Sequence, residues 1–282
     1  MNGKTVLVTG ATAGIGLVTA RRLAARGAEV FLVGRGAERL EAACAAIRAQ
    51  VSQARLEVLR GDLSLMADTR RVAAELLALR PRLDVLVNNA GAIFFEREET
   101  TEGLERTFAL NHMSYFLMAN LLRPALEAAP GGRVVNVASG AHAQGRVDFD
   151  DLQSKRGYLH MRAYGTSKLM NILFTRALSR RLAGTRVTAN ALHPGFVNSS
   201  FGDNNESGFL RRAFAVSKTL FAISPEKGAD TSVFLASSPE VEGVTGEYFL
   251  RGRKARPTRA ARDDDAGERL WAESARIAGL GE

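Results

Sequence analysis

Thr5-Val-Leu-Val-Thr-Gly-Ala-Thr-Ala-Gly-Ile-Gly-Leu-Val-Thr-Ala20 is the stretch that decides the fold. A short β-branched run, Thr5–Thr9, ends in Gly10, Gly14 and Gly16 and passes straight into a helical pattern over Ile15–Arg26. Strand, glycine turn and helix in that order present backbone N–H groups at a helix N-terminus, which attracts an anion. Gly10 permits the tight turn, Gly14 lets backbone approach a pyrophosphate, and Gly16 lets the helix pack closely on the strand. Thr12, Ala13 and Ile15 complete the phosphate loop. A triphosphate-hydrolysing loop is excluded, because no Gly-Lys-Ser/Thr follows the glycines to hold a terminal phosphate and its magnesium.

Outward from that loop, apolar runs alternate with Ala/Leu/Arg-rich helical patterns. Strands are expected at Glu29–Val33, Leu56–Leu59, Asp84–Val87, Arg133–Ala138, Arg186–Leu192 and Gly246–Leu250. Helices are expected at Ala37–Gln50, Met66–Leu79, Thr101–Glu127 with a break inside it, Arg162–Leu182 and Pro225–Ser237. Strands that are apolar on both faces belong to a parallel sheet covered by helices on each side. The expectation is an α/β fold: a Rossmann-type doubly wound parallel sheet of about seven strands, in one domain spanning 1–282. Two stretches break the alternation, Gln144–Met161 and Asn198–Ser224, and are therefore expected to form the active-site walls. The second reads either as a lid or as a plain surface insertion, and 251–282 as a C-terminal extension.

At 282 residues, 46% hydrophobic and 24% charged, the chain can bury a large core and is not disordered. Its one cysteine, Cys44, rules out an intrachain disulfide and a cysteine-built zinc site, and implies a reducing, cytoplasmic setting. No apolar run reaches ~18 residues, so no membrane anchor is expected. The net charge of +8 raises nucleic acid as a partner. Most arginines are dispersed, however, and the dense cluster Arg251, Arg253, Lys254, Arg256, Arg259 and Arg262 runs into Asp263-Asp-Asp265, which partly neutralises it. Nucleic-acid binding is therefore not expected. The histidines lack metal-ligand spacing, so no metal is expected.

After the second strand the chain reads Leu32-Val-Gly-Arg35, with no acidic residue to accept from ribose hydroxyls. A guanidinium there pairs a 2′-phosphate, which favours NADP over NAD; the alternative for Arg35 is an ordinary surface arginine. Asp62-Leu63 follows the third strand and is placed for the adenine edge.

Tyr164 and Lys168, four apart in Ala163-Tyr-Gly-Thr-Ser-Lys168, share a helix face. Bringing a phenol from its ordinary ~10 to neutrality takes roughly 4 kcal/mol. A positive charge ~4 Å away at an effective dielectric of ~20 supplies about that much. Lys168 is thus expected to make Tyr164 a usable acid or base.

With the glycine loop, Asn88-Asn-Ala-Gly91, Asn111, Ser139, Tyr164/Lys168 and His193-Pro-Gly195 in this order, the chain resembles the short-chain dehydrogenase/reductase family from end to end. Val135–His142, Lys168–Arg176 and Arg269–Ser274 look most like its retinol-dehydrogenase-like branch, with bacterial ketoreductases as close relatives. The resemblance implies an NADP(H)-dependent interconversion of an apolar alcohol with its aldehyde or ketone. It implies that Ser139 binds the substrate oxygen, Tyr164 carries the proton, Lys168 holds the nicotinamide ribose, and Asn111 seats a water linking Lys168 to solvent. Asn88, Asn89, Ala90 and Gly91 would close the cofactor cleft. Pro194, Gly195 and Val197 would meet the nicotinamide carboxamide, with Ser199 standing where many members carry threonine.

Other readings fare worse. Ser139 with His142 suggests a serine hydrolase, but no Gly-x-Ser-x-Gly elbow is present. An epimerase or lyase relative would open Gly-x-x-Gly-x-x-Gly and carry a larger substrate domain. An idle NADP-sensing module would be expected to lack part of the catalytic set, whose positions are all filled. Phe94-Phe95 and Tyr158–Met161 either line a substrate pocket or fill core. Leu169–Leu178 is either a homo-oligomer face or is covered by the C-terminus.

Overall fold

The structure, a computed structural model, describes residues 1–195 and 223–281. Its strands are β1 (Thr5–Thr9), β2 (Glu29–Gly34), β3 (Arg55–Arg60), β4 (Val85–Asn88), β5 (Arg133–Val137), β6 (Thr188–His193), β7 (Tyr248–Leu250) and β8 (Arg253–Ala255). They form one eight-stranded sheet in the order β3-β2-β1-β4-β5-β6-β7-β8. Every pairing is parallel except β7 with β8. The order reverses beside β1, so the carboxyl ends of β1 and β4 splay a crevice, the place where such sheets bind ligands.

Helices α1 (Gly14–Ala24), α2 (Ala37–Gln50), α3 (Met66–Leu79), α4 (Arg106–Phe108), α5 (Ser114–Leu121), α6 (Arg123–Glu127), α7 (His160–Arg181), α8 (Pro225–Ser237) and α9 (Asp264–Ala278) complete the described chain. Successive strand residues point to opposite faces, and the sequence exploits this on both. Val6, Val8, Val30 and Leu32 meet Leu23 of α1, Leu40 and Ile47 of α2 and Val233 of α8. Leu7, Phe31 and Val33 join the other core with Leu76 of α3, Phe116 of α5, Leu173 of α7 and Leu270 of α9. A polar ladder crosses the second core: Asn88 Nδ2 donates to Asn136 Oδ1 and Asn136 Nδ2 to Thr175 Oγ1, each at 2.9 Å, tying β4, β5 and α7 together.

Several details depart from the sequence expectations, helix α9 among them. The stretch 101–127 starts helical only at Arg106, because the buried Glu105 carboxylate accepts from the N–H groups of Thr107 (2.6 Å) and Phe108 (2.8 Å). It then passes through a π-turn, Ala109–Met113, before α5. Strand β8 is new, three residues paired antiparallel to β7.

The acidic run Asp263–Asp265 does not neutralise the arginines before it; it starts α9. Asp263 caps that helix, accepting from the Ala266 N–H, and Asp264 pairs with Arg176 (3.0 Å) and Arg180 (2.7 Å) of α7. Glu268 adds Arg180 and Arg181. Trp271 stacks on Phe174 at 5.8 Å, meets Phe116 edge-on at 4.9 Å, and lies under the Arg181 guanidinium at 4.1 Å. The apolar stretch of α7 is thus covered by the chain's own C-terminus. Among the described residues no helix is long and apolar enough to cross a membrane.

Candidate active site

The carboxyl ends of β1, β2, β4, β5 and β6 open on one cavity of about 950 Å³. At its β1 side the glycines do what their backbone allows. Gly10 has φ +64° and a Cβ there would stand 2.8 Å from the Ala90 Cα; a Cβ on Gly16 would collide with the Gly10 carbonyl. Asn89 staples this turn to the β4 loop, its Nδ2 donating to the carbonyls of Thr9 (2.9 Å) and Gly10 (3.3 Å). Thr9 Oγ1 accepts from the N–H groups of Asn89 and Ala90 in return. The result is a glycine-rich cradle of closely approachable backbone at the N-terminus of α1, which fits a dinucleotide pyrophosphate.

Gly10, Thr12, Ala13, Gly14, Ile15, Gly16, Arg35, Leu63, Asn89, Ala90, Gly91, Pro194 and Gly195 all line the cavity, with Ser139, Tyr164 and Lys168. Asp62 does not: its carboxylate accepts from Ser64 N–H and Oγ and stands 3.7 Å from the Arg35 guanidinium. Asn88 lies behind the loop in the polar ladder, and Val197, Ser199 and all but the last two residues of the expected lid lie outside the described residues. The sequence reading missed Arg39, which lies in the first turn of α2 and is exposed at the same rim as Arg35, a residue that precedes that helix. The available signal was a second arginine four residues on in Gly34-Arg-Gly-Ala-Glu-Arg39. The reading also missed Leu110, Ile93, Ala141 and His193, which line the cavity, while Gln144 and Met161, the two ends of one expected wall segment, line it as well. Of the candidates Phe94-Phe95 and Tyr158–Met161, only Met161 lines it; Phe94 is core under Arg106, and Tyr158 bonds the Phe94 carbonyl and Thr107.

Ser139 follows β5 in extended backbone and caps the 3₁₀ turn Gly140–Gln144, its Oγ accepting from the Ala141 N–H at 3.2 Å. Its side chain also hydrogen-bonds Tyr164. His142 Nδ1 lies 2.7 Å from the Ser139 carbonyl, so Nδ1 carries the proton, and Nε2 accepts from the Thr258 N–H at 3.4 Å. The imidazole therefore serves the serine's backbone and offers no base to its hydroxyl, which disposes of the hydrolase reading.

Tyr164 and Lys168 share the buried face of α7, with Lys168 Nζ 5.8 Å from the Tyr164 ring centre. The expected downward shift of the phenol is not found. Burial pushes Tyr164 up to about 12, the Ser139 hydrogen bond only partly opposing it, and burial brings Lys168 down to about 7. Loss of water around both groups sets the direction of each shift, since a desolvated charge is disfavoured. Lys168 Nζ donates to the Val137 carbonyl at 3.0 Å. Asn111, fully buried in the π-turn, does not reach the cavity. Its Oδ1 accepts from the Ala92 N–H, and its Nδ2 donates to the Ala92 carbonyl and Ser167 Oγ.

The short chain dehydrogenase profile matches residues 4–208, which spans the glycine cradle, Asn111, Ser139 and the Tyr164/Lys168 helix. The chain belongs to the short chain dehydrogenase family. Within the family it is retinol-dehydrogenase-like. It is 40% identical to human retinol dehydrogenase 13 over 99% of this chain and 85% of that one. Human retinol dehydrogenase 14 is likewise 40% identical, over 99% of this chain and 88% of the relative. Among solved structures, a Mycobacterium paratuberculosis protein aligns with a TM-score of 0.79 and 32% identity, covering 99% of this chain and 94% of that one. A variant of actinorhodin polyketide ketoreductase, crystallised with NADPH, aligns at 0.65 and 27%, covering 88% of this chain and 97% of that one. This short chain dehydrogenase therefore shares its sheet with proteins that carry retinol dehydrogenase and ketoreductase names, and it is an oxidoreductase.

Proposed function

We propose that the chain is an NADP(H)-dependent alcohol dehydrogenase and carbonyl reductase, acting on an apolar alcohol or its aldehyde or ketone. The observation that carries this reading is the opening of Ser139, Tyr164 and Lys168 onto the same cavity as the glycine cradle, with Ile93, Leu110 and Met161 giving that cavity apolar wall. NADP, when bound, supplies or accepts the hydride. The Ser139 hydroxyl donates to the substrate oxygen and fixes its position. Tyr164 Oη gives that oxygen a proton in reduction and takes it back in oxidation, the step that general acid–base catalysis accelerates by ~10²–10⁴-fold. Lys168 holds the nicotinamide ribose and brings its positive charge beside the phenol. Both Asn111 Nδ2 hydrogens are committed, so the proposed water beside Lys168 is held by the π-turn backbone that Asn111 anchors.

NADP is favoured over NAD because Arg35 and Arg39 both face the cavity at the end of β2, where a 2′-phosphate would arrive. The NADPH-bound ketoreductase relative supports the same choice. Retinoid-sized substrates are favoured by the retinol dehydrogenase relatives; a natural-product ketone is the second reading, on the ketoreductase neighbour. A reducing cytoplasmic setting belongs to the same reading, since the one cysteine is a buried free thiol.

The test is NADPH consumption with retinaldehyde, medium-chain aldehydes and aromatic ketones. Tyr164→Phe is expected to lose roughly 10²–10⁴ in kcat with dinucleotide binding retained; turnover within threefold of wild type would refute the proton-transfer role. Arg35→Asp is expected to weaken NADPH binding by roughly 10–100-fold and NADH binding far less. Equal losses for both dinucleotides would count against the 2′-phosphate assignment.

A further inference from the structure

Lys168 is 2% exposed, yet no carboxylate pairs with it among the described residues. Its surroundings are otherwise backbone and aromatic. The Val137 carbonyl of β5 accepts from Nζ, and a Cβ at Gly91, after β4, would stand 3.3 Å from Nζ and 3.2 Å from Asn111 Oδ1. The titratable groups that face it are Tyr164 on its own helix and Tyr115 on α5. Tyr115 is fully buried, one turn beyond Asn111, and presents its ring to Nζ at 5.3 Å, closer than Tyr164. Its hydroxyl also points at the Val137 carbonyl, at 3.4 Å.

We infer that Tyr115 is a positioning residue for Lys168: its ring face and its hydroxyl, which shares the Val137 carbonyl with Nζ, hold the ammonium charged and aimed at the cleft. This rests on the reading of Lys168 as the lysine that serves the cofactor ribose and Tyr164. A cation loses its hydration when buried and regains part of that stabilisation from the negative face of an aromatic ring, most strongly where water is excluded. A carboxylate would do so too, but as an anion it would draw Lys168 away from its partners. The ring stabilises the charge without competing for it. The bland alternative is that Tyr115 only fills core beneath α7, beside Phe116 and Phe174.

Lysine ε-¹³C NMR titration of the protein without added substrate separates the two, with the Lys168 signal assigned by its loss in Lys168→Met. Tyr115→Leu is expected to lower the Lys168 midpoint by about one pH unit, a roughly tenfold fall in the charged fraction at a given pH above it. Tyr115→Phe, which keeps the ring, is expected to lower it by less. Pentafluorophenylalanine at position 115 keeps the ring's shape while removing its negative face, so it should move the midpoint as leucine does, and it covers the case in which Tyr115→Leu fails to fold. The alkaline limb of kcat for carbonyl reduction should move to lower pH by the same amount. A Lys168 midpoint unchanged in the folded fluorinated protein overturns the inference and leaves Tyr115 as core. Because the titration needs no substrate, a chain with no reductase turnover would refute the proposed function and leave this test standing.

Discussion

Burial without an anionic partner couples the protonation of one lysine to the stability of the whole fold. An ordinary lysine side chain releases its proton near 10.5, whereas Lys168 is brought down to about 7. Between those values the unfolded chain holds a proton that the folded chain has released, so stability rises with pH across that window and falls as pH drops through 7. Tyr164 and Tyr115 are both raised, and their opposite effect begins only above about 10. Measured by urea unfolding without added dinucleotide, wild type should therefore gain stability relative to Lys168→Met between pH 7 and pH 10, by up to about 4 kcal/mol. A difference that stays flat with pH would show that Lys168 keeps its proton in the fold. The residues that take part were unequally legible. Ser139, Tyr164 and Lys168 stand out because a serine directly after a strand and a phenol and an ammonium four apart on a helix follow the glycine loop in order, although each alone has ordinary uses. Tyr115 does not, since a tyrosine inside Ser114-Tyr-Phe-Leu-Met118 reads as core until its ring is seen facing Nζ. The electrostatic balance was illegible too, because a spacing of four says which groups meet and nothing of how much water they lose.

An element formed by a continuous apolar run could be placed from sequence to within a residue or two, as with β1, because its burial on both sides leaves no other arrangement; α8 was placed by Pro225 at its first turn. The elements that were missed are stabilised by distant partners. Strand β8 has a charged sequence and exists only because β7 offers it an edge. The π-turn before α5 shifts one hydrogen-bond register at Asn111, and the forces behind it, the Ala92 and Ser167 contacts, come from 19 residues before and 56 after. Helix α9 was not read as a helix, only as a C-terminal extension, and its acidic start was read against the wrong arginines: those on α7, nearly ninety positions away in sequence, claim it. Ser274 of α9 also reaches His112 Nε2 at 2.9 Å, beside Asn111, so the C-terminal helix braces the π-turn.

These contacts lead us to propose that residues 1–282 form one catalytic domain. The covering of α5 and α7 by α9 makes the claim testable, because Trp271 is the protein's only tryptophan and lies in that contact. Its fluorescence reports the docking of α9, while far-UV circular dichroism reports every helix and strand. In urea the two signals should trace one transition with a common midpoint, as expected of a single cooperative unit. A tryptophan transition that precedes the other would mark α9 as a separable appendage. The cationic segment that once suggested a polyanion has a plainer consequence at this scale. A sheet that ends in an open strand offers unpaired N–H and C=O groups to any strand of another molecule, a template for edge-to-edge association unless the edge is short or charged. Here β8, one of the two outer strands, is three residues long and exposes Arg253 and Lys254, the latter paired with Glu247, so a second copy approaching along that border meets a short, charged edge before it can zip into register.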